Sequence, residues 1–422
     1  MNRIWVILML LAPFAARAEL APDTVAALSV DEAVAVAVRS NPGLIRLQKQ
    51  WEAMQERPVQ AGGLPNPMIS FSGMDPVSGG SWPDTGQKRY RLLQTVPGLG
   101  KRGLREDVAS RETELMRVEW LIASQDLALR VKEKAYELMA VRRVLSLLRE
   151  EEGLLKGMEA VAETQYAAGK RTQADVLMVQ TEWTRLKQER LRVQSKENTL
   201  QAQLNTLLNR RVTEALSLEN SLRLPNFGSD VEPLLRMAET NRPEISEAQT
   251  RMERDRLNQR RRSRESAPDY QVGVEYRDVD SGDDMAMFTL GVELPIWRTQ
   301  ERAGIREAST RTEASRASLE NVRQQTALDV QNAHFQWMTA TRTLDLIRSE
   351  LIPQAQARFM ASEAGYRTGQ LDFLDLLASE RFLLDARTKA ALTEGEVGRQ
   401  AARLERAMGM NGIHQPTGEQ NQ

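Results

Sequence analysis

Residues 268–295 read PDYQVGVEYRDVDSGDDMAMFTLGVELP, and their spacing decides the architecture. Tyr270, Val272, Val274 and Tyr276 alternate with Gln271, Gly273 and Glu275. Phe288, Leu290, Val292 and Leu294 alternate with Thr289, Gly291 and Glu293. Such period-two alternation sets one face of a strand in an apolar medium and leaves the other wet. The linker RDVDSGDDM is acidic and rich in turn residues, so the two runs predict a hairpin. Its apolar residues, from Tyr270 to Leu294, are the candidates for a lipid-facing surface. Earlier in the chain Ile69 and Phe71 alternate with Ser70 and Ser72. Tyr90, Leu92, Gln94 and Val96 form a poorer stripe opposite Arg91, Leu93 and Thr95, across a loop of Gly, Pro and Asp.

A soluble sandwich would show the same alternation, but not beside so much helix. Four strands are also too few for a membrane barrel made by one chain, because such barrels begin at about eight strands. Copies of the chain must then pool their strands, and three copies would supply twelve.

The two hairpins belong to a tandem duplication. Pro42 of Asn41-Pro42 answers Pro243, Pro67 answers Pro268, and Pro97 answers Pro295. Tyr166-Ala167-Ala168-Gly169 answers Tyr366-Arg367-Thr368-Gly369, and every landmark recurs near one offset of about 200 residues. A period of that size marks a doubled unit rather than a solenoid of short repeats. The expected organisation is a leader at 1–18, a first repeat at 19–225, a second at 226–410 and a flexible tail at 411–422. Each repeat reads as helix, two strands, long helix, break, helix.

The long helices dominate, so the expected fold is mainly α with a small β part. No proline lies between Leu104 and Gln165, a stretch of roughly 93 Å at helical rise. The counterpart is expected from about Gln300 to Leu351. One apolar stripe runs through Leu115, Val118, Ile122, Leu129, Tyr136 and Met139. Another runs through Val131, Leu138, Val141, Leu145, Leu148 and Leu155. Two narrow seams at spacings of three, four and seven let a helix touch a neighbour on each side, as in a coiled-coil wall.

Met1-Asn2-Arg3, an apolar run from Ile4 to Ala12 and Ala16-Arg17-Ala18 form a secretory signal pattern. The chain has no cysteine, which excludes disulfides and a lipid attached through one. Aromatic residues are 5%, charged residues 27% and the formal net charge is -1, so charge gives no reason to expect nucleic acid. No phosphate loop or nucleophile–base arrangement stands out, so neither a cofactor nor an enzymatic activity is expected. Only His334 and His414 are histidines. Met68, Met74, Met285 and Met287 lie in or beside the strands, where lipid-facing or packing roles are expected over ligation of soft metal ions.

Together these residues resemble the TolC family of outer-membrane efflux proteins, from SVDEAVAVAVRSNPGL to about Gly409. The likeness rests on the duplication, on the Asn-Pro near the end of the first helix and on QTVPGLGKR after the second strand. It rests also on the pair YAAGKRTQADVLMVQ and YRTGQLDFLDLLASE. The PGLGKR stretch and the loops are most similar to the heavy-metal-efflux branch. The resemblance implies a homotrimer with a twelve-stranded outer-membrane barrel continuous with a helical periplasmic tunnel. It also implies a periplasmic adaptor (membrane fusion) protein and an inner-membrane pump as partners. The expected function is a passive exit duct, with heavy-metal cations the leading cargo. Multidrug efflux or protein secretion by the same fold, or a soluble periplasmic coiled-coil adaptor, are the competing readings.

The resemblance also places a periplasmic gate at the helix tips, with turns at Gly169 and Gly369 and gate candidates Asp175, Tyr366, Asp372 and Asp375. Leu371 and Ala378 stand where the best-known gate pattern has an arginine and a second aspartate, which implies a thinner polar network. Thr172-x-x-Asp175 and Asp372-x-x-Asp375 also have capping-box spacing, which explains these residues without a gate. Two basic groups flank the strands: Lys101, Arg102 and Arg105, and the run Arg254, Arg256, Arg260, Arg261, Arg262 and Arg264. They suit either lipid headgroups or solvated helix ends.

Overall fold

The structure, a computed structural model, describes residues 27–74, 86–219, 225–280 and 282–410. The expected leader, the tail with His414 and most of the first hairpin loop lie outside the described residues.

The chain begins with α1 (Val30–Ser40), started by a capping box in which Ser29 and Glu32 satisfy each other's backbone N–H groups. Asn41 ends α1 and starts α2 (Pro42–Gln55), its side chain accepting from the N–H groups of Gly43 and Leu44. Proline explains this break. It disfavours helical backbone in the residue before it, while its own missing N–H costs nothing in a first turn. The second repeat does the same at Arg242-Pro243, between α6 (Glu232–Asn241) and α7 (Pro243–Arg264). With arginine at the break, the side chain reaches out instead, to Asp329 at 2.7 Å. A short α3 (Arg57–Gly62) leads into the first hairpin.

The strands are β1 (Met68–Met74), β2 (Gln87–Val96), β3 (Asp269–Val279) and β4 (Met285–Glu293). They form one antiparallel sheet in the order β1-β2-β3-β4, so the centre of the sheet is a pairing between the two repeats. β1 and β4 are open edges, and the sheet does not close on itself.

After β2 the chain runs as α4 (Lys101–Ala167), a helix of 67 residues and roughly 100 Å. It turns at Gly169 and returns as α5 (Gln173–Leu207). After β4 come α8 (Arg298–Leu346), a π-helical turn Ile347–Leu351, α9 (Ile352–Thr368) and α10 (Phe373–Ala407). This second long helix was expected to run only to about Leu351, and Pro353 lies just beyond that point. It continues to Thr368 instead. Proline lacks an N–H and its ring crowds the carbonyl four residues back, and one wide i→i−5 turn accommodates both defects without ending the helix.

α4 is the central element and packs on α5, α7 and α10, so it uses both of its seams. Val131, Leu138, Val141, Leu145, Leu148 and Leu155 are all buried. Contact with α10 is close because Gly395 and Gly398 face Ala140 and Tyr136. Ion pairs pin the same interface: Lys132 reaches Glu405 at 2.8 Å and Asp31 at 3.3 Å, while Arg406 joins Asp126 and Glu244. Among the described residues no helix is long and apolar enough to cross a membrane.

Candidate gate at the helix tips and membrane face of the sheet

The register sorts the strand residues onto two faces. On one, Ile69, Leu92, Val274 and Phe288 lie side by side, as do Val96, Tyr270 and Val292, with Val272 beside Leu290. This face is uncovered: Phe288 is 85% exposed and Leu290 77% exposed. Tyr270, Val272, Val274, Tyr276, Val292 and Leu294 are exposed with them, Leu294 lying just past the end of β4. An apolar surface this continuous requires a non-aqueous neighbour.

The opposite face is polar. Its centre is Glu275, buried beneath three guanidinium groups: Arg89 at 3.1 Å, Arg91 at 2.9 Å and Arg277 at 3.1 Å. Met68, Met74, Met285 and Met287 lie on this polar face, so of the two roles expected of them, lipid-facing or packing, only the second suits their position. Their odd or even positions decide it: Met285 and Met287 alternate with Phe288, and Met68 alternates with Ile69.

At the far end of the helices, Gly169 and Gly369 close the turns with φ of 68° and 79°. These are left-handed values that glycine adopts without a Cβ clash, as helix C-termini commonly require. Arg171, in the first turn, donates to the Leu371 carbonyl of the second at 3.1 Å. Its guanidinium also lies 4.8 Å from the centre of the Tyr366 ring. Tyr366 is buried edge-on against Phe373, and its hydroxyl has no hydrogen-bond partner among the described residues. Burial and the nearby Asp175 carboxylate raise its pKa above the ordinary phenol value. The structure thus brings Tyr366, Asp175 and Arg171 together across the two repeats, while Asp372 and Asp375 remain exposed. The equivalent Tyr166 is exposed.

Only one of the two expected caps forms as drawn. Asp372 accepts from the Asp375 N–H at 3.0 Å. Thr172 makes no side-chain cap; its hydroxyl turns to the Asp175 carboxylate at 3.4 Å. Asp175 thereby faces the tip interior.

Above the tips lies a cluster that the motifs did not single out. Glu151 of α4, Glu182 of α5 and Glu380 of α10 are all buried, and Glu151 and Glu380 hydrogen-bond carboxyl to carboxyl. Glu182 is neutralised by Arg381 and by Arg185 at 3.0 Å. Burial above all, then the bond to Glu151 and the charges of Glu151 and Glu182, push the Glu380 carboxyl up to about 10. Burial also raises Glu151. The pair therefore holds a proton at neutral pH. A signal existed: each glutamate occupies an apolar seam position, as in Leu148-x-x-Glu151-x-x-x-Leu155 and Val179-x-x-Glu182-x-x-x-Leu186.

The basic groups divide. Lys101 is bound to Asp269 at 2.8 Å, and Arg102 donates to the Gly62 carbonyl at 2.7 Å. Arg254 pairs with Asp255, and Arg261 and Arg262 pair with Glu265. Arg256, Arg260 and Arg264 line a hollow beside Leu99. His334 is buried with Nε2 3.1 Å from the Gly228 carbonyl, stacked against Trp337.

A family model described as outer membrane efflux protein matches residues 234–410. The chain is also similar to the cobalt-zinc-cadmium resistance protein CzcC of Cupriavidus metallidurans. The two are 23% identical over 392 residues, covering 90% of each. Among solved structures it is similar to CusC, with a TM-score of 0.76 and 16% identity over 91% of this chain and 92% of that one. The outer-membrane channel OprN gives 0.75 and 18% identity over 90% and 89%. The chain has the fold of the outer-membrane efflux channels.

Proposed function

We propose that three copies of this efflux protein pool their strands into a twelve-stranded barrel. The helices continue it as a tunnel through the periplasm, closed at the tips by the turns at Gly169 and Gly369. The channel is a passive exit duct for heavy-metal cations, driven by an inner-membrane pump through a periplasmic adaptor. One observation carries this reading: a four-stranded sheet with two open edges, apolar and exposed on one face and charged on the other. Unpaired edges are not tolerated in lipid, so the sheet must be completed by other copies. Likeness to CzcC over 90% of the chain supports the metal cargo.

Two measurements test this. The protein should fractionate with the outer membrane as a trimer, and recovery as a soluble monomer would refute the channel. A strain lacking the protein should become sensitive to cobalt, zinc or cadmium. Sensitivity confined to detergents and dyes would keep the duct and move its cargo to drugs.

A further inference from the structure

We propose that the barrel carries a ring of arginines near its outer mouth that sets the charge selectivity of the exit. This rests on the trimeric barrel proposed above. With the apolar face toward lipid, the face bearing Arg89, Arg91, Glu275 and Arg277 must line the lumen. Register places the cluster in the half of the sheet nearest the hairpin loops, away from α4 and α8: Arg89 stands opposite Arg277, and Arg91 opposite Glu275. Three arginines less one glutamate leave two positive charges per chain, and so six around the trimer.

Asp280, Asp283 and Asp284 lie nearer the loop, and Asp284 accepts from the hydroxyl of Tyr276, a residue of the other face. The residues in register on the same face are Ser70, Ser72, Met285 and Met287, all neutral. Lys88 and Asp278 stand opposite each other on the other face. Asp269 lies at the helical end of the sheet, where Lys101 neutralises it. Glu275 is a structural counter-charge rather than a lumenal one, with only 2% of its side chain exposed, whereas those of Arg89 and Arg91 are 33% and 41% exposed. The excess positive charge is therefore presented to the water in the pore.

A like-charged ring between low-dielectric walls focuses its field along the axis and selects by sign. At physiological salt the field decays over roughly 8 Å, so it acts on ions at that level and not on the distant tips. Anions are concentrated there and free multivalent cations are opposed. Metal cargo leaves most easily in company with anionic ligands, and the same ring hinders the return of free metal ions from outside.

The test uses the purified trimer in planar bilayers at about 0.1 M KCl, where screening is moderate, with inorganic pyrophosphate added on the loop side. Pyrophosphate should block the native channel at concentrations about tenfold or more below those needed for Arg89→Gln/Arg277→Gln. Arg91 keeps Glu275 paired in that variant. Arg89→Lys/Arg277→Lys should retain the block. If the double glutamine variant does not assemble, Arg89→Gln alone should give an intermediate block. Equal block in native and glutamine channels would overturn the ring. Absence of any channel from the native protein would overturn the barrel beneath it.

Discussion

Replacing Glu380 with glutamine keeps a hydrogen-bond donor in the α4–α10 contact above the tips but removes the group that titrates there. Glu380 is 2% exposed and hydrogen-bonded to Glu151. Glu182 faces it from α5 with its arginine partner Arg381, and Arg387 lies near Glu151. Its carboxyl is raised from 4.5 in the unfolded chain to about 10 in the fold. The folded state therefore binds the proton more tightly than the unfolded state does. The stability gained is complete below pH 4.5 and is lost as pH rises toward the folded value. Each pH unit inside that window costs about 1.4 kcal/mol per chain, so pH 5 to 8 costs about 4 kcal/mol from this group. Glutamine keeps the donor to Glu151 and has no proton to lose, so Glu380→Gln should flatten the dependence. The assay is the midpoint of denaturant unfolding in detergent at a series of pH values. Parallel slopes for the native protein and Glu380→Gln would refute the shared proton.

Other perturbations probe separate parts of the molecule. Leu290→Arg puts a charge on the lipid face and should cost about 2–4 kcal/mol per subunit near the bilayer centre. The yield of trimer in outer-membrane fractions measures this, and an undiminished yield would mean that the face is not in lipid. Gly398→Ala sets a Cβ 2.7 Å from the Tyr136 ring and should destabilise by about 1–3 kcal/mol. An unchanged unfolding midpoint would mean that α10 can move aside. Arg171→Ala removes the link between the two tip turns and should raise single-channel conductance. Tyr366→Phe removes only an unpartnered hydroxyl and should leave conductance unchanged. If Arg171→Ala conducts like the native channel, the tip is not held closed by this contact.

The strands were legible because each carries its environment in two-residue alternation, strongest from Tyr270 to Leu294. The face of the methionines was left open because a thioether suits lipid and lumen equally, and only the position parity that Met285 and Met287 share with Thr289 decides it. The Arg–Glu275 cluster joins β2 to β3 across about 180 residues, and nothing within either strand announces that pairing. Proline usually ends a helix, and the π turn that absorbs Pro353 has no sequence mark of its own. At the tips, Gly169 and Gly369 were legible from their place at the end of each long helix. Arg171 was not, since its partners lie in the other repeat. Glu151, Glu182 and Glu380 stood in the seams as polar interruptions, and three helices had to be brought together before they became one cluster.

The open edges of β1 and β4 carry a genetic consequence. A chain that can bond a neighbour at one edge but not at the other will still join a growing ring and then halt it. A copy truncated before β4, made alongside the native protein, should therefore deplete native trimers from the outer membrane, as a dominant lesion does. A copy lacking both hairpins offers no edge and should be recessive. Membrane content of native protein in the two co-expression strains separates these cases, and equal content would mean that strands are recruited only after the helices have already chosen their partners.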